Sequence, residues 1–202
     1  MLFIELFVPP GRLDPARRRQ IASSLLRNMT GDPDADTALD SRSGAVFASQ
    51  FHVVVHRPET WVVGEQAVEP DGPAAPYMVR VHVPGPWRKD TSEHVITTFT
   101  QKIVEVDPEA AVQVHVLGVP EGSMGVRGEA KTSAALVEMM NEPLQQDYAE
   151  GKAVKDPMCD MLVSLDTAPT LEWEGTLYGF CCEGCRTEFV EKRRKEREKA
   201  RA

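Results

Sequence analysis

Tyr77-Met78-Val79-Arg80-Val81-His82-Val83-Pro84-Gly85 is a short run rich in valine that stops at proline and glycine. Such a run reads as a short strand, and Pro-Gly ends it. Leu2-Phe3-Ile4-Glu5-Leu6-Phe7-Val8-Pro9-Pro10-Gly11 has the same form at the start of the chain. The segments after the two stretches are also alike, which makes the pair an internal repeat. After the first, Asp14 is placed to cap a helix with Pro15 in its first turn, and Ile21, Leu25 and Leu26 recur at helical spacing. After the second, Thr91 or Ser92 is placed to cap, and Val95, Ile96, Phe99 and Ile103 form the apolar stripe. Each helix leads to another strand, Phe51-His52-Val53-Val54-Val55-His56 and Val112-Gln113-Val114-His115-Val116-Leu117. The order is β-α-β, twice. A crossover helix implies parallel strands within each unit. Two such units side by side make an α+β fold: a four-stranded sheet with two helices on one face.

The connecting segments are read from their punctuation. Gly31 to Ser43 is acidic and turn-rich and reads as a loop, and Glu69 to Ala75 reads as the linker between units. Ala130 to Gly151 reads as a short helix, Ser133 to Asn141, and a polar connector. The expected limits are therefore 1–70 and 76–142 for the two units and 152–195 for a small third domain.

Composition sets outer bounds. With 42% hydrophobic and 27% charged residues, the chain is not expected to be disordered throughout. No apolar run reaches the length of a membrane helix. The apolar start carries Glu5, ends at Pro9-Pro10, and lacks a basic leader or small-residue cleavage site, so a cytoplasmic protein is expected. Residues 1–150 hold 13 Lys+Arg against 21 Asp+Glu, while residues 151–202 hold 10 of each. The bulk of the chain repels nucleic acid and anionic membrane, and neither is expected as a partner. The basic tail from Lys192 to Lys199 is interleaved with glutamates and reads as a solvated helix.

All four cysteines, Cys159, Cys181, Cys182 and Cys185, lie in the last quarter of the chain. Clustering without a secretory leader points to metal or thiol chemistry rather than a disulfide framework. Leu162 to Leu165, Leu171 to Trp173 and Leu177 to Phe180 read as short strands, with Glu174-Gly175 as a tight hairpin turn. A helix is expected to start near Cys182 and carry Phe189 into the core. Cys181 then ends a strand and Cys185 sits in the first helical turn, where backbone N–H groups favour thiolate. Cys159, in a Pro-led turn, approaches from the other side. Thiolate binds soft metal, and a domain this small gains from a metal clip. The Cys182–Cys185 spacing also fits a redox C-x-x-C pair.

Two resemblances sharpen these readings. Over about residues 2–130, the strand-Pro-Gly start, the Gly11-Arg12 pair and the two endings Pro58-Glu59-Thr60-Trp61 to Glu65 and Pro120-Glu121 to Glu129 resemble the 4-oxalocrotonate tautomerase superfamily. Its members assemble as trimers or hexamers and use an amino-terminal proline as general base. The resemblance implies a homotrimer, with Arg12 and Trp61 as substrate-binding candidates and Pro86 and Met124 at those places in the second unit. The proline position holds Leu2 here, and Pro76, its counterpart in the second unit, has its nitrogen locked in an amide. Whether the chain is an enzyme stays open; the missing proline points away from isomerase activity. His52, His56, His82 and His115 fall on expected strands, as structural residues or, for His52 with His56, as a metal pair.

Asp156-Pro157-Met158-Cys159-Asp160-Met161, then Tyr178-Gly179-Phe180-Cys181, Cys185 and Phe189, resemble the YHS domain, a treble-clef-like ββ-α metal-binding module related to TRASH. The resemblance implies Cys159, Cys181 and Cys185 as metal-facing thiols. Asp160 stands where glycine is usual and either tightens the turn or adds an oxygen ligand. Cys182 stands where serine is common, as an extra thiol or a small core residue. The function expected is binding of a soft metal, Zn, Cu or Hg, on a tautomerase-like scaffold. The alternatives are an isomerase or lyase of the tautomerase superfamily acting on a small unsaturated carboxylic acid, and a thiol-redox protein.

Overall fold

Strand β1 (Leu2–Phe7) turns Ile4 and Leu6 to one face, where both are fully buried, and Phe3, Glu5 and Phe7 to the other. The strand itself is expected from the sequence; the alternation of its faces is seen in the structure. The structure, a computed structural model, describes residues 2–30, 40–69, 72 and 75–201. Helix α1 (Pro15–Thr30) begins as read, with the Asp14 carboxylate accepting the Arg17 N–H at 2.8 Å. The expected loop from Gly31 falls mostly outside the described residues. Its last part does not: helix α2 (Ser41–Ser49) already starts at Ser41. Strand β2 (Phe51–His56) comes next, then a small hairpin of β3 (Val62–Val63) and β4 (Gln66–Ala67).

The second β-α-β unit comprises β5 (Ala75–Pro84), α3 (Arg88–Val104) and β6 (Ala110–Val119). A hairpin of β7 (Met124–Val126) and β8 (Glu129–Lys131) ends it. Helix α3 starts before the caps expected at Thr91 or Ser92. Gly85–Trp87 forms a 3-10 turn with Pro86 in its opening positions, and the helix runs straight on from it. The hydroxyls of Thr91 and Ser92 instead donate back to the Trp87 and Arg88 carbonyls, as mid-helix residues do.

The four long strands form one sheet in the order β2-β1-β5-β6. β1 and β2 are parallel, as are β5 and β6, and β1 meets β5 antiparallel. Ile4, Leu6, Tyr77, Val79, Val81 and Val83 form the covered face, with Ile21 and Leu25 of α1 and Val95, Phe99 and Ile103 of α3 buried over it. Phe99 has no exposed surface, and truncating such a ring costs about 3–5 kcal/mol. The other face carries Glu5, with the His56 and His82 imidazoles 3.1 and 3.3 Å from its carboxylate, and His56 stacks on Phe7.

A second unit gathers residues 134–202 together with residues 30–49, so α2 belongs to it and not to the sheet that flanks it in sequence. Helix α4 (Ser133–Asn141) matches its expected limits. The connector after it is ordered as a 3-10 turn (Glu142–Leu144) and α5 (Gln145–Ala149). Arg42 of α2 lies 2.6 Å from Asp147 of α5. Two hairpins come after α5: β9 (Ala153–Lys155) with β10 (Leu162–Ser164), and β11 (Thr170–Trp173) with β12 (Thr176–Gly179). Glu174 and Gly175 both have positive φ, 53° and 77°, as a tight two-residue hairpin requires. Helix α6 (Glu183–Arg201) closes the unit. Its Phe189 is buried against Tyr178, Phe180 and Trp173, at ring distances of 4.7, 5.4 and 6.3 Å.

Candidate metal centre

The β9–β10 hairpin is not joined by a short turn. Residues 156–161 bulge out as a knuckle carrying Cys159, tied at its base by the Asp156 N–H to the Met161 carbonyl and the Asp160 N–H to the Asp156 carbonyl. Asp160 has φ +63°, the left-handed region that favours glycine and that Asp tolerates better than most residues. The Asp160 backbone thus supplies the turn. Its side chain is exposed and lies 3.1 Å from Lys155 Nζ. From α4, the buried Asn141 amide donates to the Asp160 carbonyl and accepts the Leu162 N–H, fastening both ends of the knuckle.

Cys181 stands just beyond β12, and Cys185 lies in the first turn of α6. Gly179 lets this strand end come close: a Cβ there would stand 2.5 Å from Val154 Cγ2 and 3.0 Å from Val163 Cγ2. The Cys159 and Cys181 sulfurs are 3.5 Å apart, and those of Cys181 and Cys185 are 3.6 Å apart. Cys182 Sγ sits to one side, 3.8 Å from Cys181 Sγ, and accepts the Cys185 N–H. All four cysteines are free thiols.

One residue completes the cluster that sequence reasoning did not single out as a donor. Asp156 is fully buried, and its carboxylate accepts the Met158 and Cys181 N–H groups at 2.8 Å each. One donor atom from each of Asp156, Cys159, Cys181 and Cys185 lies within 4.8 Å of every other. Among the described residues this is the group of His, Cys, Asp or Glu side chains able to hold a metal ion. Asp156 was part of the quoted motif, but only the fold reveals that its carboxylate reaches the sulfurs.

Hydrogen bonding from Cys181, then from Cys185, lowers the Cys159 thiol to about 5, against the opposing effects of burial and Asp156. The same contact with Cys159 pushes Cys181 up. Thiols bind metal as thiolates, so each ligating sulfur gives up its proton when an ion binds.

The substrate-binding candidates of the N-terminal unit lie elsewhere. Arg12 is clamped: Nε and Nη2 donate to Asp107 at 2.8 and 3.0 Å, and Nη2 also donates to Glu109 at 2.5 Å. The buried Tyr77 hydroxyl donates to Asp107 at 2.8 Å. Arg12 holds the Asp107 carboxyl below its ordinary value, while burial and Asp107 push the Tyr77 phenol up. Trp61 is half-buried, and its carbonyl accepts the Val68 N–H across the base of the β3–β4 hairpin. Pro76 lies inside β5, with its nitrogen in the continuous strand.

Among solved structures, the chain is similar to a native fused 4-OT, with a TM-score of 0.50 and 16% identity over 63% of this chain and 94% of that one. A fused 4-OT asymmetric trimer gives 0.49 at 17% identity, covering 66% and 98%. A macrophage migration inhibitory factor-like protein from Entamoeba histolytica gives 0.45 at 9%, covering 65% and 97%. At this identity the likeness to the native fused 4-OT is one of fold, and the N-terminal part of the chain has that tautomerase-like fold. No family model and no curated protein matches the chain. Among the described residues no helix is long and apolar enough to cross a membrane.

Proposed function

We propose that the protein binds a soft metal ion of the Zn, Cu or Hg class through Cys159, Cys181 and Cys185, on a tautomerase-like scaffold. The observation that carries this reading is the convergence of three sulfurs from two separate segments, at 3.5 and 3.6 Å from the central one. A tetrahedral ion with metal–sulfur bonds near 2.3 Å needs sulfurs about 3.8 Å apart. The thiols therefore need only a small adjustment to close around an ion. The residues fit a metal in kind as well as in spacing, since thiolates are the donors that soft ions select. When bound, such an ion would link the knuckle to the start of α6 and add to the stability of a small unit.

The isomerase reading has less to stand on. Leu2 holds the place of the basic proline, and the Arg12 charge is already balanced by Asp107 and Glu109. A homotrimer, as the tautomerase resemblance implies, belongs to the same proposal and would present several metal units together; light scattering on the purified chain measures it.

Metal analysis of full-length protein, purified reduced and without a metal-affinity tag, tests the central claim. About one ion per chain is expected at three-thiolate affinity. A reduced chain that takes up neither Zn(II) nor Cu(I) would falsify it and favour the thiol-redox alternative.

A further inference from the structure

Asp156 is the one buried acid in the cysteine-bearing unit among the described residues, and its surroundings are unusual for a carboxylate. It has no exposed surface, and its partners are two neutral backbone N–H groups. Among the described residues no Lys or Arg pairs with it, whereas the buried Asp107 of the N-terminal unit has Arg12 at 2.8 Å. A carboxylate taken out of water without a cation is costly to keep charged. The group placed to relieve that cost is the one its neighbours are built to hold, since an oxygen of Asp156 lies within 4.8 Å of all three sulfurs.

We propose that Asp156 supplies the oxygen donor of the site and thereby selects a divalent ion of the zinc class over monovalent copper. This rests on the metal-binding proposal and narrows it. Two N–H bonds occupy about half of the acceptor capacity of a carboxylate and leave lone pairs for an ion. Ligating carboxylates commonly carry such outer hydrogen bonds, which fix their orientation. The Met158 and Cys181 N–H groups do this from the two segments that bear the cysteines, so one side chain both sets the site and completes it. Carboxylate oxygen is a harder donor than thiolate and is a regular ligand of Zn(II), whereas Cu(I) is satisfied by thiolates alone. A divalent ion also offsets more of the negative charge that three sulfurs and a carboxylate bring together.

Competition against chromophoric chelators measures Zn(II) and Cu(I) affinity on the reduced, tag-free full-length chain and on Asp156→Asn. Zinc X-ray absorption on the wild type counts sulfur and oxygen neighbours. The expected result is a zinc shell of mixed sulfur and oxygen in the wild type. In the variant, Zn(II) binding weakens by about 10–100-fold while Cu(I) binding is unchanged. Equal loss of both ions, with far-UV circular dichroism unchanged, reduces Asp156 to a structural brace and overturns the proposal. So does a variant that matches the wild type, or an all-sulfur zinc shell recruiting Cys182. The wild-type shell decides the matter even when the variant fails to fold. A wild-type chain that binds neither ion removes the metal reading itself, whereas binding without discrimination at Asp156 removes only this inference.

Discussion

Among the described residues two acids are buried, in opposite situations. Asp107 sits in a closed cluster, where Arg12 answers its charge, Tyr77 donates to it, and Glu109 takes up the rest of the guanidinium. Asp156 sits in an open one, where two N–H groups orient the carboxylate, three thiols face it, and no described cation answers it. A closed cluster uses its electrostatics to join the turn after β1 to the loop before β6, ninety-five residues away. An open cluster keeps donor capacity free. By this contrast the first cluster is a brace and the second has the free donors that the proposed metal site requires, although Arg12 had the stronger functional pedigree by resemblance.

The largest expected effect tests the open cluster. Cys181→Ser removes the sulfur that lies closest to both others, and metal content is expected to fall from about one ion per chain to none. The same variant should also lose the thermal stabilisation that added Zn(II) gives the wild type, read by calorimetry with and without chelator. Retention of full metal content in this variant would break the contrast between the two acids.

Next in size is Gly179→Ala. The new methyl meets Val154 and Val163 at distances that neither backbone-anchored valine can easily yield, and overpacking of this kind costs about 1–3 kcal/mol. Denaturant unfolding monitored by Trp173 fluorescence, with Trp61 and Trp87 replaced by Phe in both proteins compared, should show an earlier loss of the C-terminal unit. An unshifted midpoint would mean that the strand end has more room than the structure gives it.

The closed cluster predicts a smaller, pH-dependent effect. Arg12 depresses the Asp107 carboxyl in the folded state, so the pair stabilises the fold above the unfolded carboxyl value of about 4. That contribution is lost as pH falls through the lowered folded value. Asp107→Asn is expected to cost about 1–2 kcal/mol at neutral pH, and to flatten the acid side of the stability profile. An equal acid slope in wild type and variant would place the acid sensitivity elsewhere. Smallest of all, Cys182→Ser should leave metal stoichiometry unchanged, because its sulfur lies outside the four-donor group. A halved stoichiometry would move Cys182 into the site.

The sheet was legible because its signals are local. The short apolar runs of β1 and β5, stops at Pro-Gly, and helical spacing from Ile21 and Val95 all act within a few residues. The three thiols were legible because thiol chemistry and the expected strand–helix junction pointed to the same place. The hidden features depend on distance in sequence or on weak local preference. The Arg12–Asp107 pair and the reach of Asp156 to Cys181 span 95 and 25 residues, and no periodicity reports them. Helix α2, with its small residues Ser41, Ser43, Gly44 and Ala45, has little propensity of its own, and its place is set by packing in the second unit. The early start of α3 was hidden by two plausible caps downstream of the 3-10 turn that begins it.

The membership of α2 in the second unit has a consequence for how the chain is made. Synthesis proceeds from the N-terminus, and domains generally fold as they emerge. Here α2 leaves the ribosome before β2, β5 and β6, yet the rest of its unit, from Ala134 onward, appears only after them. The first unit can complete its sheet while α2 waits without its own packing. A fragment cut just before Ala134 would carry every cysteine and still lack a piece of its unit. The unit that bears the thiols is therefore assembled late, from a helix made early and segments made after the sheet.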